Sequence, residues 1–204
     1  KGYYLDPKNK NGLNLTNYYQ RPDLSRNVIG LAVFRVPNAN KFSYKAALTQ
    51  NEWQTKSAGS LLYGAEAYFG TVKSDSALVP VNVSNIFQQQ GINKIKFLSI
   101  GPGIGYAYTL VINRHYFITG SVIASVDLNF STEDNQGNQN SKTNIERGGI
   151  FKGAIGYNSS NWSASASISG NALYAGSAAS SRRYFLPTGE MRLMVTKKFK
   201  LKSR

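Results

Sequence analysis

The feature that most constrains the fold is a regular alternation of apolar and polar residues along residues 116–130. One set of alternate positions is apolar and includes Val122, Ala124 and Val126, whereas the intervening positions are mainly Ser, Thr, Asn and Asp. Successive side chains of a β-strand point to opposite faces of the sheet. The segment is therefore predicted to be a long strand with one apolar face and one polar face.

The same two-residue period recurs along the chain. It is clear in 98–110, 162–172 and 190–199, and weaker in 27–36, 41–50, 59–72 and 145–157. Strands of about 9–11 residues cross a bilayer at a tilt, and no apolar run approaches the roughly 18 residues that a membrane-spanning helix needs. The sequence predicts an all-β protein, an antiparallel transmembrane β-barrel of at least eight strands.

The connections between these segments predict an orientation. Tight turns at 113–114 and 158–161 alternate with longer polar segments at 73–94, 133–144 and 174–184. Outer-membrane barrels have short periplasmic turns and long external loops. We expect the tight turns and the 50–59 connection to be periplasmic, and the 37–40 turn to lie outside with the long loops. Residues 1–25 are interpreted as a linker or the end of a preceding strand, and 26–204 as the barrel.

The alternation also assigns residues to the two faces and to the rims. The positions predicted to face lipid are Val122, Ala124, Val126, Ile168, Leu193 and Val195. Aromatic residues gather near the strand ends, as in the girdle at a membrane–water interface; they are Tyr106, Tyr108, Tyr116, Phe130, Tyr157, Trp162 and Phe199. A soluble β-sandwich or lipocalin-like barrel is the alternative, but its polar faces should carry more charge.

Several charged residues fall on the polar, inward face. They are Lys45, Glu66, Asp127, Lys152 and Arg192, with Glu146 and Lys198 near the rims. Isolated charges in a narrow lumen cost several kcal/mol, so we expect Asp127 to pair with Lys152 or Arg192. Two interpretations stay open: a salt-bridged plug that fills the lumen, and a selective pore.

The overall charge is strongly basic, with 24 Lys and Arg against 10 Asp and Glu. Such a balance raises the possibility of nucleic-acid binding. No basic helix is readable, however, and the densest basic cluster is the tail at 197–204, which suits anionic lipid head groups. The expected partners are outer-membrane lipids and other outer-membrane proteins, and no nucleic acid.

The residues that usually carry catalysis are scarce. The chain has no cysteine and a single histidine, His115, beside the tight turn at 113–114. Thiolate chemistry is excluded, and acid–base chemistry lacks a positioned partner. We interpret His115 as an interfacial polar residue and expect no enzyme and no cofactor. The string Gly101-Pro102-Gly103-Ile104-Gly105 is interpreted as room for inward side chains of neighbouring strands, with a local bulge or irregularity expected at Pro102.

Several strings together resemble a known family. They are Lys1-Gly2-Tyr3-Tyr4-Leu5, Arg21-Pro22-Asp23-Leu24-Ser25, Lys41-Phe42-Ser43-Tyr44-Lys45-Ala46-Ala47, Gln50-Asn51-Glu52-Trp53-Gln54, Lys56-Ser57-Ala58-Gly59-Ser60 and Asp75-Ser76. The chain resembles an outer-membrane barrel family of Bacteroidota, the domain of unknown function 4421. The resemblance implies further strands before Lys1, for a full barrel of 10–12, and brings no activity. Asp75-Ser76-Ala77 also fits a short O-glycosylation pattern of such bacteria.

These observations favour a binding role for the protein over a catalytic one. We expect a non-enzymatic β-barrel of the cell outer membrane that acts as an accessory or structural subunit of an outer-membrane protein assembly. The alternative is an outer-membrane channel or transporter for a small solute. The length of the native N-terminus separates the two, because it fixes the strand number and hence the lumen radius.

Overall fold

A computed structural model describes residues 3–5, 19–79, 91–178 and 183–198. Within these ranges the chain forms nine strands and one short helix. In chain order they are β1 (Tyr3–Leu5), β2 (Tyr19–Arg21), β3 (Ser25–Arg35), α1 (Tyr44–Leu48), β4 (Ala58–Lys73), β5 (Lys94–Ile112), β6 (Tyr116–Asn135), β7 (Asn138–Asn158), β8 (Trp162–Gly176) and β9 (Arg183–Lys197).

Seven strands form one antiparallel sheet in the order β3-β4-β5-β6-β7-β8-β9, and β1 and β2 form a separate pair. Each strand of the sheet pairs with its neighbours in sequence, so the topology is a simple meander. The sheet curls into a half-barrel with a concave inner face and a convex outer face. The predicted all-β class with antiparallel pairing is confirmed, with seven strands in the sheet. No helix among the described residues has the length and apolar content needed to cross a membrane.

The predicted strand over 41–50 is wrong, because α1 occupies this segment. The Ser43 hydroxyl accepts a hydrogen bond from the Ala46 amide at 3.1 Å and caps the first turn. Ala47 then packs inward against Phe117 and Ala154. The short alternation in this segment comes from residues that cap and line a helix.

Two connections also differ from the prediction. The segment 36–57, which joins β3 to β4, lies at the same end as the turns at 113–114 and 158–161, so the 37–40 turn is not beside the long loops. The predicted loop over 133–144 is instead a hairpin, in which Gln136 and Gly137 have φ values of 51° and 101°. Such a turn matches the twist of long paired strands.

The connections between strands lie at the two ends of the sheet, a turn rim and a loop rim. The turn rim consists of residues 36–57, 112–116, 157–162 and 196–198, and the loop rim of residues 22–25, 73–79, 91–94, 134–139, 176–178 and 183. Asn113 and Arg114 both have positive φ, and the His115 amide donates to the Ile112 carbonyl at 3.2 Å. The first tight turn is therefore confirmed, and it joins β5 to β6 through the three residues 113–115.

Apolar clusters fill parts of the concave side. One cluster joins Phe42, Leu62, Ala107 and Ile123 beneath the 36–57 segment. Another joins Tyr68, Phe97, Leu173 and Ala175 toward the loop rim. The interior is therefore a packed space with a polar middle.

Candidate functional site

The convex face of the sheet is apolar and exposed. Leu193 is 86 % exposed and Val122 is 65 % exposed, whereas Asn129 on the concave face is fully buried. The residues predicted to face lipid all lie on the convex face and are all exposed (Val122, Ala124, Val126, Ile168, Leu193 and Val195). Apolar side chains therefore point outward and many polar ones inward, the reverse of the usual arrangement in a protein surrounded by water.

The aromatic residues predicted for the girdle are spread over the convex face. Those described are Tyr106, Tyr108, Tyr116, Phe130, Tyr157 and Trp162, whereas Phe199 lies outside the described residues. Tyr116, Tyr157 and Trp162 lie at the turn rim, and Phe130 lies toward the loop rim.

At the turn rim four aromatic rings contact one another in a continuous row, the aromatic ladder of Trp53, His115, Tyr157 and Tyr116. The centroid distances are 5.2 Å for Trp53 to His115, 5.5 Å for His115 to Tyr157, and 5.2 Å for Tyr157 to Tyr116. His115 Nδ1 donates to the Asn158 carbonyl at 2.7 Å. No sequence pattern predicts that Trp53 lies here, because it belongs to the 36–57 segment, which folds back over this rim.

Two carboxylates of the concave face lie close together. Ser125 Oγ donates to Glu66 Oε1 at 2.6 Å, and Ser99 Oγ donates to Asp127 Oδ2 at 3.3 Å. A Cβ built on Gly148 would lie 2.9 Å from Glu66 Oε1 and 3.1 Å from Asp127 Oδ2, so both groups converge where this residue has no side chain. Asp127 Oδ1 is buried without a hydrogen-bond partner.

The predicted pairing of Asp127 with Lys152 or Arg192 is wrong. Among the described residues no cation lies within ion-pair distance of Asp127. Lys152 is opposite Ser121, six residues or about 20 Å along β6 from Asp127, and its Nζ lies over the Tyr44 ring. Arg192 pairs with Glu190 at 3.2 Å. Alternation fixes the face of a residue but not its depth along the barrel.

The remaining charges of this set lie at or near the rims, as predicted for Glu146 and Lys198. Lys45 lies on α1, is exposed, and its Nζ is 3.8 Å from Glu52, so its assignment to the lumen is wrong because the predicted strand is a helix. Glu146 Oε2 is 3.5 Å from Arg183 Nη1 near the loop rim. Lys198 Nζ donates to the Ser159 carbonyl at 3.0 Å at the turn rim.

The glycines of the 101–105 string make room as predicted. A Cβ on Gly101 would lie 2.1 Å from the Val126 carbonyl oxygen and 2.4 Å from Asp127 Oδ1, and one on Gly105 would meet Ile123. The ladder between β5 and β6 is interrupted at Gly101 and Pro102 and continues beyond in the same register. The expected irregularity at Pro102 is therefore a gap in pairing without an inserted residue.

A polar anchor holds the chain before β3 to the loop rim. Arg21 Nη2 donates to Asp23 Oδ2 at 3.0 Å, and its Nη1 donates to the Ala77 carbonyl at 3.0 Å. Ser76 Oγ donates to Asp23 Oδ2 at 2.8 Å. These donors hold the pKa of Asp23 well below its ordinary value of 3.8. Ser76, the candidate for O-glycosylation, therefore has its hydroxyl engaged in this anchor.

Within the described ranges no group of three or more His, Cys, Asp or Glu could hold a metal ion. The half-buried Tyr44 of α1 has its pKa raised by burial.

Comparison with known proteins gives one match. The model of a family described as a domain of unknown function (DUF4421) matches residues 1–196. No curated protein and no solved structure matches the chain.

Proposed function

Since the chain belongs to the family described as domain of unknown function DUF4421, whose description names no activity, we propose its function from its geometry. The protein forms the wall of a β-barrel in the outer membrane of a Bacteroidota bacterium. It acts there without catalysis, as an accessory or structural subunit of an outer-membrane protein assembly.

The observation that carries this proposal is the exposed apolar face, which continues across all seven strands of the sheet. One exposed residue from each strand, in order, is Ile29, Phe69, Ile104, Val122, Ile155, Ile168 and Leu193. Apolar patches of more than a few hundred Å² are rare on water-soluble monomers and mark protein or membrane contacts. A lipid environment accommodates this face, and the antiparallel pairing satisfies the backbone within the sheet.

The filling of the interior favours binding over transport. The Phe42 cluster and α1 occupy the concave side near the turn rim, and the Tyr68 cluster occupies it near the loop rim. The surfaces left for function are the two rims and the outer wall. Contacts with lipids and with other membrane proteins use these surfaces.

The surroundings of the single histidine support the absence of catalysis. His115 lies between the rings of Trp53 and Tyr157, and its Nδ1 is used by the Asn158 carbonyl. A general base needs a reacting group within hydrogen-bond reach and a partner that orients it. The stacked ring serves packing at the rim.

A second candidate is the transport of a small solute. The concave face holds a cavity of about 290 Å³, lined by residues that include Tyr68, Lys152, Asn171 and Glu190. Its lining includes polar and charged side chains, and the carboxylates of Glu66 and Asp127 lie on the same inner face. Planar-bilayer conductance separates the two functions, because a plugged barrel passes no steady current and a transporter channel passes a selective one.

Cysteine labelling in vesicles tests the barrel itself. Ala164→Cys and Ala166→Cys lie on the convex face and should react with a membrane-confined maleimide. Ser163→Cys and Ser165→Cys, on the same strand but facing inward, are the matched controls and should resist it. Labelling of the serine positions alone would contradict a lipid-facing wall, as would failure of the full chain to insert into vesicles.

A further inference from the structure

The net positive charge of the described chain is concentrated at the turn rim. The cationic residues there or on the adjoining strand end are Arg35, Lys41, Lys45, Lys56, Arg114, Lys197 and Lys198. Glu52 is the one carboxylate among the described residues of this rim. At the loop rim the charges are mixed, because Asp23, Asp75 and Asp134 accompany its cations. The turn rim should therefore attract anions far more strongly than the loop rim.

A cavity lies within this basic rim. It has a volume of about 530 Å³ and lies between the 36–57 segment and the start of β4, lined by Asn40, Lys41, Trp53, Gln54, Lys56 and Ser57 among others. Lys41 and Lys56 are both exposed, and neither ammonium group has an ion-pair partner in the described part of the chain. The cavity therefore presents two cations that no carboxylate of the described residues neutralises.

The walls of this cavity are held by hydrogen bonds. Gln54 Oε1 accepts from the Ser43 amide at 2.9 Å, and its Nε2 donates to the Lys56 carbonyl at 2.9 Å. Ser57 Oγ accepts from the Val111 amide at 2.9 Å. Trp53 Nε1 donates to the Arg114 carbonyl at 2.8 Å. The framework is thus formed before any ligand arrives, which lowers the entropic cost of binding.

An apolar groove begins beside the same rim. It lies on the convex face, has a volume of about 810 Å³, and is lined by Ile112, Tyr116, Tyr157, Ala164 and Val195 among others. A second hollow of about 630 Å³ continues it along the wall, since Ile155, Ala166 and Leu193 line both. The aromatic ladder connects the two sites, because Trp53 lines the basic cavity while Tyr157 and Tyr116 line the groove.

We propose that the turn rim binds one anionic phospholipid, with its phosphate head group in the Lys41–Lys56 cavity and an acyl chain in the convex groove. The inference deepens the proposed function, on which it rests, by naming a specific lipid class as a partner. The two lysines supply the charge for the phosphate, and Trp53 and the ladder supply the amphipathic surface that is found at the level of lipid head groups. The apolar groove argues for a lipid rather than a free phosphate ion.

Fluorescence quenching tests this site on the full chain folded in nonionic detergent micelles. Trp162→Phe leaves Trp53 as the reporter, because the chain has two tryptophans. Phosphatidylglycerol and phosphatidylcholine with brominated chains are added at equal mole fractions. We expect Trp53 to be quenched at about thirtyfold lower mole fraction of phosphatidylglycerol, as two lysines near a head group imply.

The lysines are then tested in the same background. The double variant Lys41→Gln, Lys56→Gln should lose the preference for phosphatidylglycerol. The matched control, Lys94→Gln with Lys96→Gln, changes two lysines at the loop-rim end of β5 and should retain the preference. Ala166→Phe, which fills the groove, should weaken quenching by both lipids. Heat-modifiable gel migration of each variant confirms that the barrel is folded.

Three outcomes overturn the inference. Equal quenching by the two lipids in a folded, vesicle-inserting protein refutes the lipid site and leaves the barrel function standing. Reversal of the effect by millimolar inorganic phosphate assigns the cavity to the free ion. Failure of the protein to insert into vesicles refutes the proposed function itself, and with it the lipid site.

Discussion

The Arg26 guanidinium of β3 donates from Nη1 to the Pro187 carbonyl of β9 at 3.0 Å, across the two free edges of the sheet. Its Nη2 donates to the Leu186 carbonyl at 3.4 Å. Six antiparallel pairings separate β3 from β9, so the two edges run in the same direction. A closed, wholly antiparallel barrel therefore requires an odd number of further strands between β9 and β3. In this seven-stranded sheet the Arg26 side chain bridges the two edges at the loop rim.

Loss of this bridge should weaken the curled sheet. We expect Arg26→Ala to lower the free energy of unfolding by about 1–3 kcal/mol, because two carbonyls lose a charged donor. Urea unfolding followed by tryptophan fluorescence in detergent micelles measures this. Arg192→Ala is the control and should change the free energy by less than about 0.5 kcal/mol, because Arg192 is exposed and paired only with exposed Glu190. Equal effects of the two variants would refute the bridging role.

A charge in the middle of the convex face should be costly in lipid. Val122 pairs with Tyr106 and Phe151 far from both rims, so Val122→Arg should cost about 2–4 kcal/mol of folding free energy in a bilayer. Ile112→Arg, at the turn rim on the same face, should cost about 0–1 kcal/mol. Folding titrations into phosphatidylcholine vesicles give both values. A similar cost at the two depths would contradict a membrane-spanning wall.

The absence of a side chain at Gly101 should be required for packing. A Cβ there would overlap the Val126 carbonyl oxygen and Asp127, so Gly101→Ala should destabilise the protein by about 1–3 kcal/mol. Gly120→Ala is the matched control, because nothing lies within 4 Å of its Cβ position. Thermal unfolding of both variants gives the comparison, and an unaffected Gly101→Ala protein would show that β5 and β6 shift apart readily.

Removal of the Asp127 charge should not destabilise the barrel. Asp127 and Glu66 converge on Gly148, and no cation of the described residues pairs with Asp127, so Asp127→Asn relieves repulsion while it keeps the shape of the side chain. We expect the melting temperature to stay equal or rise. Glu146→Gln is the contrast and should lower it, because this change leaves Arg183 without its partner. A large loss of stability in Asp127→Asn would mean that a cation binds between the two carboxylates.

The anchor of Arg21, Asp23 and Ser76 should loosen in acid. The pKa of Asp23 is lowered in the folded state, so this group contributes stability that is fully present above its ordinary pKa of 3.8. That contribution is lost as the pH falls from there through the lowered pKa of the folded state. Hydrogen exchange of the Ser76 amide, which donates to Asp23 Oδ2 at 3.3 Å, should therefore accelerate in this window relative to a β6 amide. Asp23→Asn should remove this pH dependence.

The sequence by itself determined the class of fold and which face of each strand is apolar. The alternation along 116–130 gave the face of each residue, because the side-chain period of a strand is fixed by backbone geometry. The glycines at 101–105 were likewise readable, since only a missing side chain leaves room for Asp127 and Ile123 on the neighbouring strand. A structural property can be predicted from the local sequence when it repeats along a single strand.

Only the tertiary structure decided how far along the barrel each residue lies, how the edges of the sheet meet, and where the apolar–polar alternation does not form a strand. Asp127 lies opposite Glu146 rather than near Lys152, because the register is set by the tight turns at both ends of β6. The segment around Ser43 became a helix, because a side-chain cap and inward packing of Ala47 outweighed a short alternation. Trp53 reached His115 through the folding back of this same segment. Contacts between residues distant in sequence depend on how the whole sheet curls, and no local pattern records that geometry.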